Sequence, residues 1–139
     1  MIPVFKPTVG EEEVAAVTEV LRSGWWGLGP KVKEFEDRFS AFLDIPYAVA
    51  VNSATAALHL ALRVADIEGG EVITPSLTFI STSHAILYND GIPVFADIEP
   101  DTLNTDPEDI CRKVTRRTKA IVAVSYRKLS ATLLPGFAA

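Results

Sequence analysis

Apolar and polar positions divide the chain into two stretches with different periodicities. Residues 9–22 carry valine or leucine at helical spacing, and residues 31–43 do the same with valine and phenylalanine. This spacing places the apolar side chains on one face of a helix, so each stretch predicts an amphipathic helix. A glycine-flanked loop, SGWWGLGP, separates the two predicted helices.

From residue 47 onward, short apolar runs alternate with segments typical of helices. The runs YAVAV, EVITP, VFADI and KAIVAVS predict four buried strands. The helix that begins at Ala54 is apolar nearly all round, so we expect it to be buried. A further helix is predicted within SLTFISTSHAILYND, and another begins at Pro107 and ends near Arg117. This α/β alternation predicts a mostly parallel sheet with helices on both faces.

Composition and charge narrow the class of protein. With 139 residues, 48% hydrophobic and 22% charged, the chain is typical of one globular domain. A net charge of −5 argues against a nucleic-acid partner, and the single cysteine excludes an internal disulfide or a cysteine-rich metal site. No motif for a bound metal occurs. No apolar run suits a membrane span, and the first residues match neither a signal nor a transit peptide, so we expect a cytoplasmic protein.

The segment VNSATAAL joins a predicted strand to a predicted helix through a short polar turn. The N-terminus of such a helix offers backbone N–H donors to a phosphate, and Ser53 and Thr55 add hydroxyl groups. The alternative is that Asn52 or Ser53 serves only as a helix cap.

Aromatic residues and histidines supply the other candidates. Phe79 is predicted one turn into a helix at the carboxyl end of a strand, where it would either stack on a planar cofactor or pack in the core. His59 and His84 have no partner at catalytic spacing, which favours packing or surface roles. Trp25 and Trp26 must pack on a domain, a partner chain or a substrate, and the sequence leaves these three open.

Taken in order, these segments resemble the DegT/DnrJ/StrS family of nucleotide-sugar aminotransferases. IPVFKPTVGEEEVAAV resembles the opening of that family, SGWWGLGPKVKEFEDRF its loop and helix, and VNSATAALHLAL its phosphate-binding turn. GGEVITPSLTFISTSHAI and PVFADIEPDTLNTDPEDI resemble the next two strand–helix units. The resemblance covers about residues 2–124.

The resemblance implies part of an aspartate-aminotransferase-type large domain, which is the fold type I of pyridoxal 5'-phosphate (PLP) enzymes. Such enzymes work as homodimers and move an amino group, usually from glutamate, to a keto-sugar linked to a nucleotide. The residues that the resemblance assigns to the cofactor are Ser53, Ala54, Thr55 and Phe79. Those that it assigns to a loop reaching the sugar substrate are Trp26, Gly27 and Leu28.

The sequence departs from the family pattern after the strand KAIVAVS. In the family there follow a glycine-containing loop, the aspartate that pairs with the pyridine nitrogen and the lysine that carries the cofactor. Here residues 126–139 read YRKLSATLLPGFAA, which matches none of these features. We therefore expect residues 1–125 to be the N-terminal part of the large domain, and residues 126–139 to be a divergent tail from a frameshift or truncated reading frame.

Because lysine attachment is what makes transamination work, we expect the chain as written to lack that activity. Two alternatives stay open at this stage. One is a non-catalytic binding module or decayed-gene product that pairs with a full-length homologue. The other is a fragment of the related PLP-dependent sugar dehydratase, in which histidine replaces the lysine.

Overall fold

A computed structural model describes residues 6–126, which fall into two units that divide between Ala50 and Val51. The first unit holds two helices: α1 (Glu11–Ser23) and α2 (Pro30–Leu43). The second unit holds α3 (Ala54–Val64), β1 (Glu71–Pro75), α4 (Ser81–Leu87), β2 (Ile92–Ala96), α5 (Pro107–Lys113) and β3 (Thr118–Ile121). None of the helices within residues 6–126 is long and apolar enough to cross a membrane.

The first unit consists of the two amphipathic helices that the spacing predicts. At the start of α1 the Glu13 carboxylate accepts the backbone N–H of Gly10 at 2.6 Å, and the helix ends at Gly24 with φ +77°. Pro30 opens α2, where its missing N–H costs no helical hydrogen bond. No residue of either helix is fully buried, so their apolar faces stay accessible within this unit.

The second unit is built on a parallel sheet with the strand order β2-β1-β3. β1 is the central strand, with β2 on one side and β3 on the other. The connections β1–α4–β2 and β2–α5–β3 run in opposite directions across the sheet. Crossover connections in parallel sheets are almost always right-handed, so α4 and α5 lie on opposite faces. The predicted parallel sheet with helices on both faces is therefore confirmed.

Neighbouring residues of the central strand face two separate cores. Val72 packs with Leu62 of α3 and Ile86 of α4 on one face. Ile73 packs with Ala96 and Ile110 on the other face, beneath α5. This alternation follows from the two-residue period of a strand, and it explains why the strands are apolar throughout rather than on one side only.

The prediction of a strand at YAVAV is wrong for the described structure. Residues 47–51 form no strand, and Tyr47 and Val49 are 85% and 79% exposed. A strand exists through hydrogen bonds to a neighbour, and none of the strands within residues 6–126 pairs with this run. The Ala50 N–H instead donates to the Glu36 carboxylate at 2.9 Å, which is a side-chain contact and not strand pairing.

Two helix predictions also need correction. The expected burial of α3 holds only for Leu62, because its outer side meets no second layer within the described residues and Val64 is 88% exposed. The last predicted helix stops at Lys113 instead of near Arg117. There the chain turns into β3, and the Thr118 hydroxyl accepts the N–H of Thr115 at 2.9 Å.

Candidate cofactor site

Ser53 caps α3 and shapes the polar turn in front of it. Its backbone is extended (φ −162°, ψ 155°), and its Oγ accepts the N–H of Ala56 at 3.2 Å. The same hydroxyl donates to Oδ1 of Asn52 at 3.2 Å, which orients the turn. The first N–H groups of the helix, those of Ala54 and Thr55, have no carbonyl one turn earlier to bind and remain as donors.

The N-terminus of α3 differs from those of α1 and α5 in its charge. The first turn of α1 carries three glutamates and that of α5 carries two acids, whereas the first turn of α3 contains no acidic residue. The positive end of the α3 dipole is therefore not compensated by its own side chains. Ser53 and Ala54 are exposed, and Thr55 is half-buried. This donor set fits a phosphate group, and the Ala54 methyl leaves the turn open.

The course of the chain places this turn at the carboxyl edge of the sheet. The 11 residues of α3 rise about 16 Å, which is also the length of the five-residue strand β1. The C-terminal end of α3 leads through Ile67 into the start of β1, so its N-terminal end lies toward the opposite, carboxyl edge. Open α/β sheets bind their ligands at that edge.

Phe79 follows the carboxyl end of β1 and lies before α4, so the prediction that it sits one turn into a helix is wrong. The loop is tied by a hydrogen bond between the Thr78 and Thr82 hydroxyls at 3.0 Å. The Phe79 carbonyl accepts the N–H of Thr82 at 3.0 Å. Its ring is 76% exposed among the described residues, so it packs in neither core of the second unit and is accessible to a ligand.

The tryptophan loop belongs to the first unit. Trp26 is 76% exposed, although its Nε1 donates to the carbonyl of Leu21 at 3.1 Å, and Leu28 is 83% exposed. Trp25 packs against Gly29, where an added Cβ would lie 3.3 Å from the Trp25 ring. The residues that line a cavity of about 380 Å³ beside this loop include Trp25, Trp26, Gly27, Lys31 and Glu19.

The two histidines share one aromatic neighbour. The rings of His59 and His84 each lie 5.8 Å from the ring of Tyr88, centre to centre. Across residues 6–126, no three side chains of histidine, cysteine, aspartate or glutamate are grouped so that they could hold a metal ion. The ring contacts with Tyr88 support the interpretation of both histidines as packing or surface residues.

Asp109 ties α5 to the carboxyl end of β2. Its Oδ2 accepts hydrogen bonds from Lys113 Nζ at 2.6 Å and from the Asp97 N–H at 2.7 Å. The Lys113 hydrogen bond, followed by that from Asp97, lowers the pKa of the Asp109 carboxyl from 3.8 to about 2. The sequence does not single out Asp109, because its partner at Asp97 is set by the fold.

This carboxylate should make stability depend on pH. Because folding depresses the pKa of Asp109, its stabilisation is complete above pH 3.8 and is lost as the pH falls toward about 2. We expect Asp109→Asn to unfold at a lower urea concentration than the unsubstituted chain at pH 6, with the difference shrinking at pH 2.5. Asp101→Asn, at an exposed loop position, is the control. A difference that stays constant with pH would contradict this role.

Comparison with known proteins identifies relatives over nearly all of the chain. The DegT/DnrJ/EryC1/StrS aminotransferase family matches residues 7–132. The spore coat polysaccharide biosynthesis protein SpsC of Bacillus subtilis (strain 168) is 52% identical over 126 residues, which is 90% of this chain. The chain spans about a third of that relative, 32% of its length.

Solved structures agree with the sequence matches. Spr1654 from Streptococcus pneumoniae, in its PLP form, is 41% identical with a TM-score of 0.80, covering 86% of this chain and 31% of that protein. The sugar aminotransferase CalS13 from Micromonospora echinospora is 39% identical with a TM-score of 0.80, covering 88% and 34% of the two chains. The second unit therefore has the fold of a PLP fold type I large domain in part, as the sequence predicts. Residues 127–139, most of the predicted divergent tail, lie outside the described structure.

Proposed function

Since the chain belongs to the DegT/DnrJ/EryC1/StrS aminotransferase family, we propose that it provides the cofactor-phosphate site of a PLP-dependent sugar aminotransferase. The activity of that whole enzyme is transfer of an amino group from an amino acid to a nucleotide-linked keto-sugar. The observation that carries the proposal is the α3 N-terminus, whose donors are not compensated by acids and which faces the same sheet edge as Phe79. The PLP form of Spr1654 supports the choice of cofactor.

Four residues hold the cofactor in this proposal. The N–H groups of Ala54 and Thr55 and the hydroxyls of Ser53 and Thr55 donate hydrogen bonds to its phosphate, and the helix dipole adds a favourable charge interaction. The exposed ring of Phe79 stacks on the pyridine ring and shields one of its faces from water. PLP itself supplies the electron sink that the amino-group transfer needs.

The substrate side of the proposal involves the tryptophan loop. Trp26, Gly27 and Leu28 contact the nucleotide-sugar, and the whole enzyme works as a homodimer. The kinship with SpsC supports a place in polysaccharide biosynthesis. The location that we propose is the cytoplasm. Both tryptophans of the chain lie in this loop, so fluorescence excited selectively in tryptophan reports on the loop alone. A nucleotide-sugar titration should change that fluorescence, and an unchanged spectrum would contradict the assignment.

The two lysines of the second unit that lie within residues 6–126, Lys113 and Lys119, lie away from this site. Lys119 donates its Nζ to the carbonyl of Asp66 at 2.9 Å, at the amino edge of the sheet, while Ser53 lies toward the carboxyl edge. Lys113 donates to the Phe95 carbonyl at 2.7 Å on the face that α5 covers, opposite α3. We therefore propose that PLP binds to this chain without a covalent link to either of these two lysines.

This proposal predicts the outcome of borohydride reduction. When the folded chain is mixed with one equivalent of PLP and reduced, we expect no lysine to be labelled stoichiometrically in the peptide mass map. The urea-unfolded chain, treated alike, gives the background labelling of accessible amines. Stoichiometric labelling of Lys113 or Lys119 in the folded chain would reject non-covalent binding.

The phosphate site itself is testable by NMR. On addition of PLP, we expect the largest backbone amide shifts at Ala54, Thr55 and Phe79. The N-terminal amides of α1 and α5 serve as internal controls, because acids already compensate those helix ends. Shifts of similar size at all three helix N-termini, or shifts confined to other residues, would overturn the proposed function.

A further inference from the structure

A buried amide joins the two helices that carry the candidate site. Asn89, just after α4, is 2% exposed, and its Nδ2 donates to the carbonyl of His59 in α3 at 3.0 Å and to that of Ala85 in α4 at 2.9 Å. No other side-chain hydrogen bond connects α3 with α4 in the part of the chain that the structure describes. Both partners are carbonyl oxygens, which only accept, so the orientation of the amide is fixed by its chemistry.

This orientation of the Asn89 amide leaves one buried polar atom without a hydrogen bond, which lowers the stability of the fold. With Nδ2 turned toward the two carbonyls, Oδ1 of Asn89 is buried and has no hydrogen-bond partner in residues 6–126. An unpaired buried carbonyl is unfavourable, whereas an apolar residue here would leave no such group. Asn89 therefore makes two hydrogen bonds that fix the register of α3 relative to α4, while its Oδ1 stays without a partner among the described residues.

The register between α3 and α4 sets the geometry of the candidate site. Both helices run from the carboxyl edge of the sheet to its amino edge, α3 beginning just after Ser53 and α4 beginning two residues after Phe79. A sliding of one helix along the other would change the separation between the phosphate donors and the aromatic ring. Beyond Asn89, the described contacts between the helices are the ring contact of His59 with Tyr88 and the packing of apolar side chains such as Leu62 and Ile86. Neither fixes the helix register as closely as a hydrogen bond to a backbone carbonyl does.

We propose that Asn89 is a positioning residue for the cofactor: by hydrogen-bonding the His59 carbonyl, it holds the Ser53–Thr55 turn and Phe79 at the spacing that lets one molecule engage both. Asn89 itself does not touch the ligand, since it lies at the opposite end of α4. The inference rests on the proposed function, because it presupposes a ligand that spans the phosphate turn and the ring.

The test compares a ligand that needs both parts with one that needs only the turn. For Asn89→Ala we expect the affinity for PLP to fall about tenfold, because binding must then also restore the register that the α3–α4 hydrogen bond had fixed. The affinity for inorganic phosphate should stay within about twofold, because the α3 N-terminus is intact. Partial unfolding alone would lower both affinities in proportion. Asn89→Ser retains one hydroxyl donor and replaces the alanine variant if that variant does not fold.

Ile110→Val is the matched control, since it destabilises the core on the other face and leaves the α3–α4 contact unchanged. Its affinities for PLP and phosphate should equal those of the unsubstituted chain. A PLP-to-phosphate affinity ratio that is the same in the Asn89 variants and the unsubstituted chain would overturn the inference alone. Failure of the unsubstituted chain to bind PLP at all would overturn the proposed function and the inference with it.

Discussion

Thr55→Glu is expected to abolish PLP binding while α3 remains folded. Position 55 is the second residue of α3, where the helix dipole favours a carboxylate by about 0.3–1 kcal/mol. The same carboxylate would repel the cofactor phosphate. At a separation of 4 Å, two unit charges near a protein surface repel by about 4 kcal/mol, so we expect the dissociation constant to rise by a factor on the order of a hundred or more. Equilibrium dialysis against PLP measures that change.

The control for this substitution is Thr55→Gln, which has the size of glutamate and no charge. It loses the Thr55 hydroxyl but keeps the backbone donors, so we expect at most about a tenfold weaker affinity. Circular dichroism should show equal helix content in both variants. If the glutamate variant binds PLP as well as the glutamine variant, the phosphate does not bind at the α3 N-terminus.

Ile73→Ala should remove a large part of the stability of the second unit. Ile73 is fully buried at the centre of the middle strand and packs with Ala96 and Ile110. Shortening such a side chain leaves a cavity and costs about 2–5 kcal/mol. Domains are usually stable by only about 5–15 kcal/mol, so the substitution should lower the urea midpoint strongly.

Val64→Ala provides the comparison in the same unit. Val64 is 88% exposed on α3, and we expect its substitution to change the free energy of unfolding by no more than about 0.5 kcal/mol. Urea unfolding followed by far-ultraviolet circular dichroism measures both variants. Equal midpoints for Ile73→Ala and Val64→Ala would show that the apolar core around β1 is not the source of stability.

The sequence predicted the parallel sheet and its cover on both faces because apolar runs and helical periodicity are local signals. It failed at YAVAV because an apolar run shows only that a segment avoids water. Whether that run becomes a strand depends on a hydrogen-bonded neighbour, which periodicity does not reveal. The overestimated length of α5 has a similar origin, since the turn closed by Thr115 and Thr118 ends the helix through a side-chain hydrogen bond.

The residues of the candidate site also differ in whether the sequence alone predicts them. The turn at Ser53 was visible in the sequence, because a serine before an apolar helix is a local capping signal. The exposure of Phe79 was not, since an aromatic residue after a strand suits a core as well as a ligand site. Asn89 and the pairing of Asp109 with Asp97 join residues far apart in sequence, and no local pattern distinguishes them from surface polar residues.

The central claim is that this chain holds PLP by its phosphate at the N-terminus of α3. The most direct measurement is the affinity of the unsubstituted chain for PLP relative to pyridoxal, which has the same pyridine ring but no phosphate. Isothermal titration with both ligands should show PLP bound at least about tenfold more tightly, as expected for a phosphate that gains charge-assisted hydrogen bonds at a helix N-terminus. Equal affinities for PLP and pyridoxal would contradict the claim.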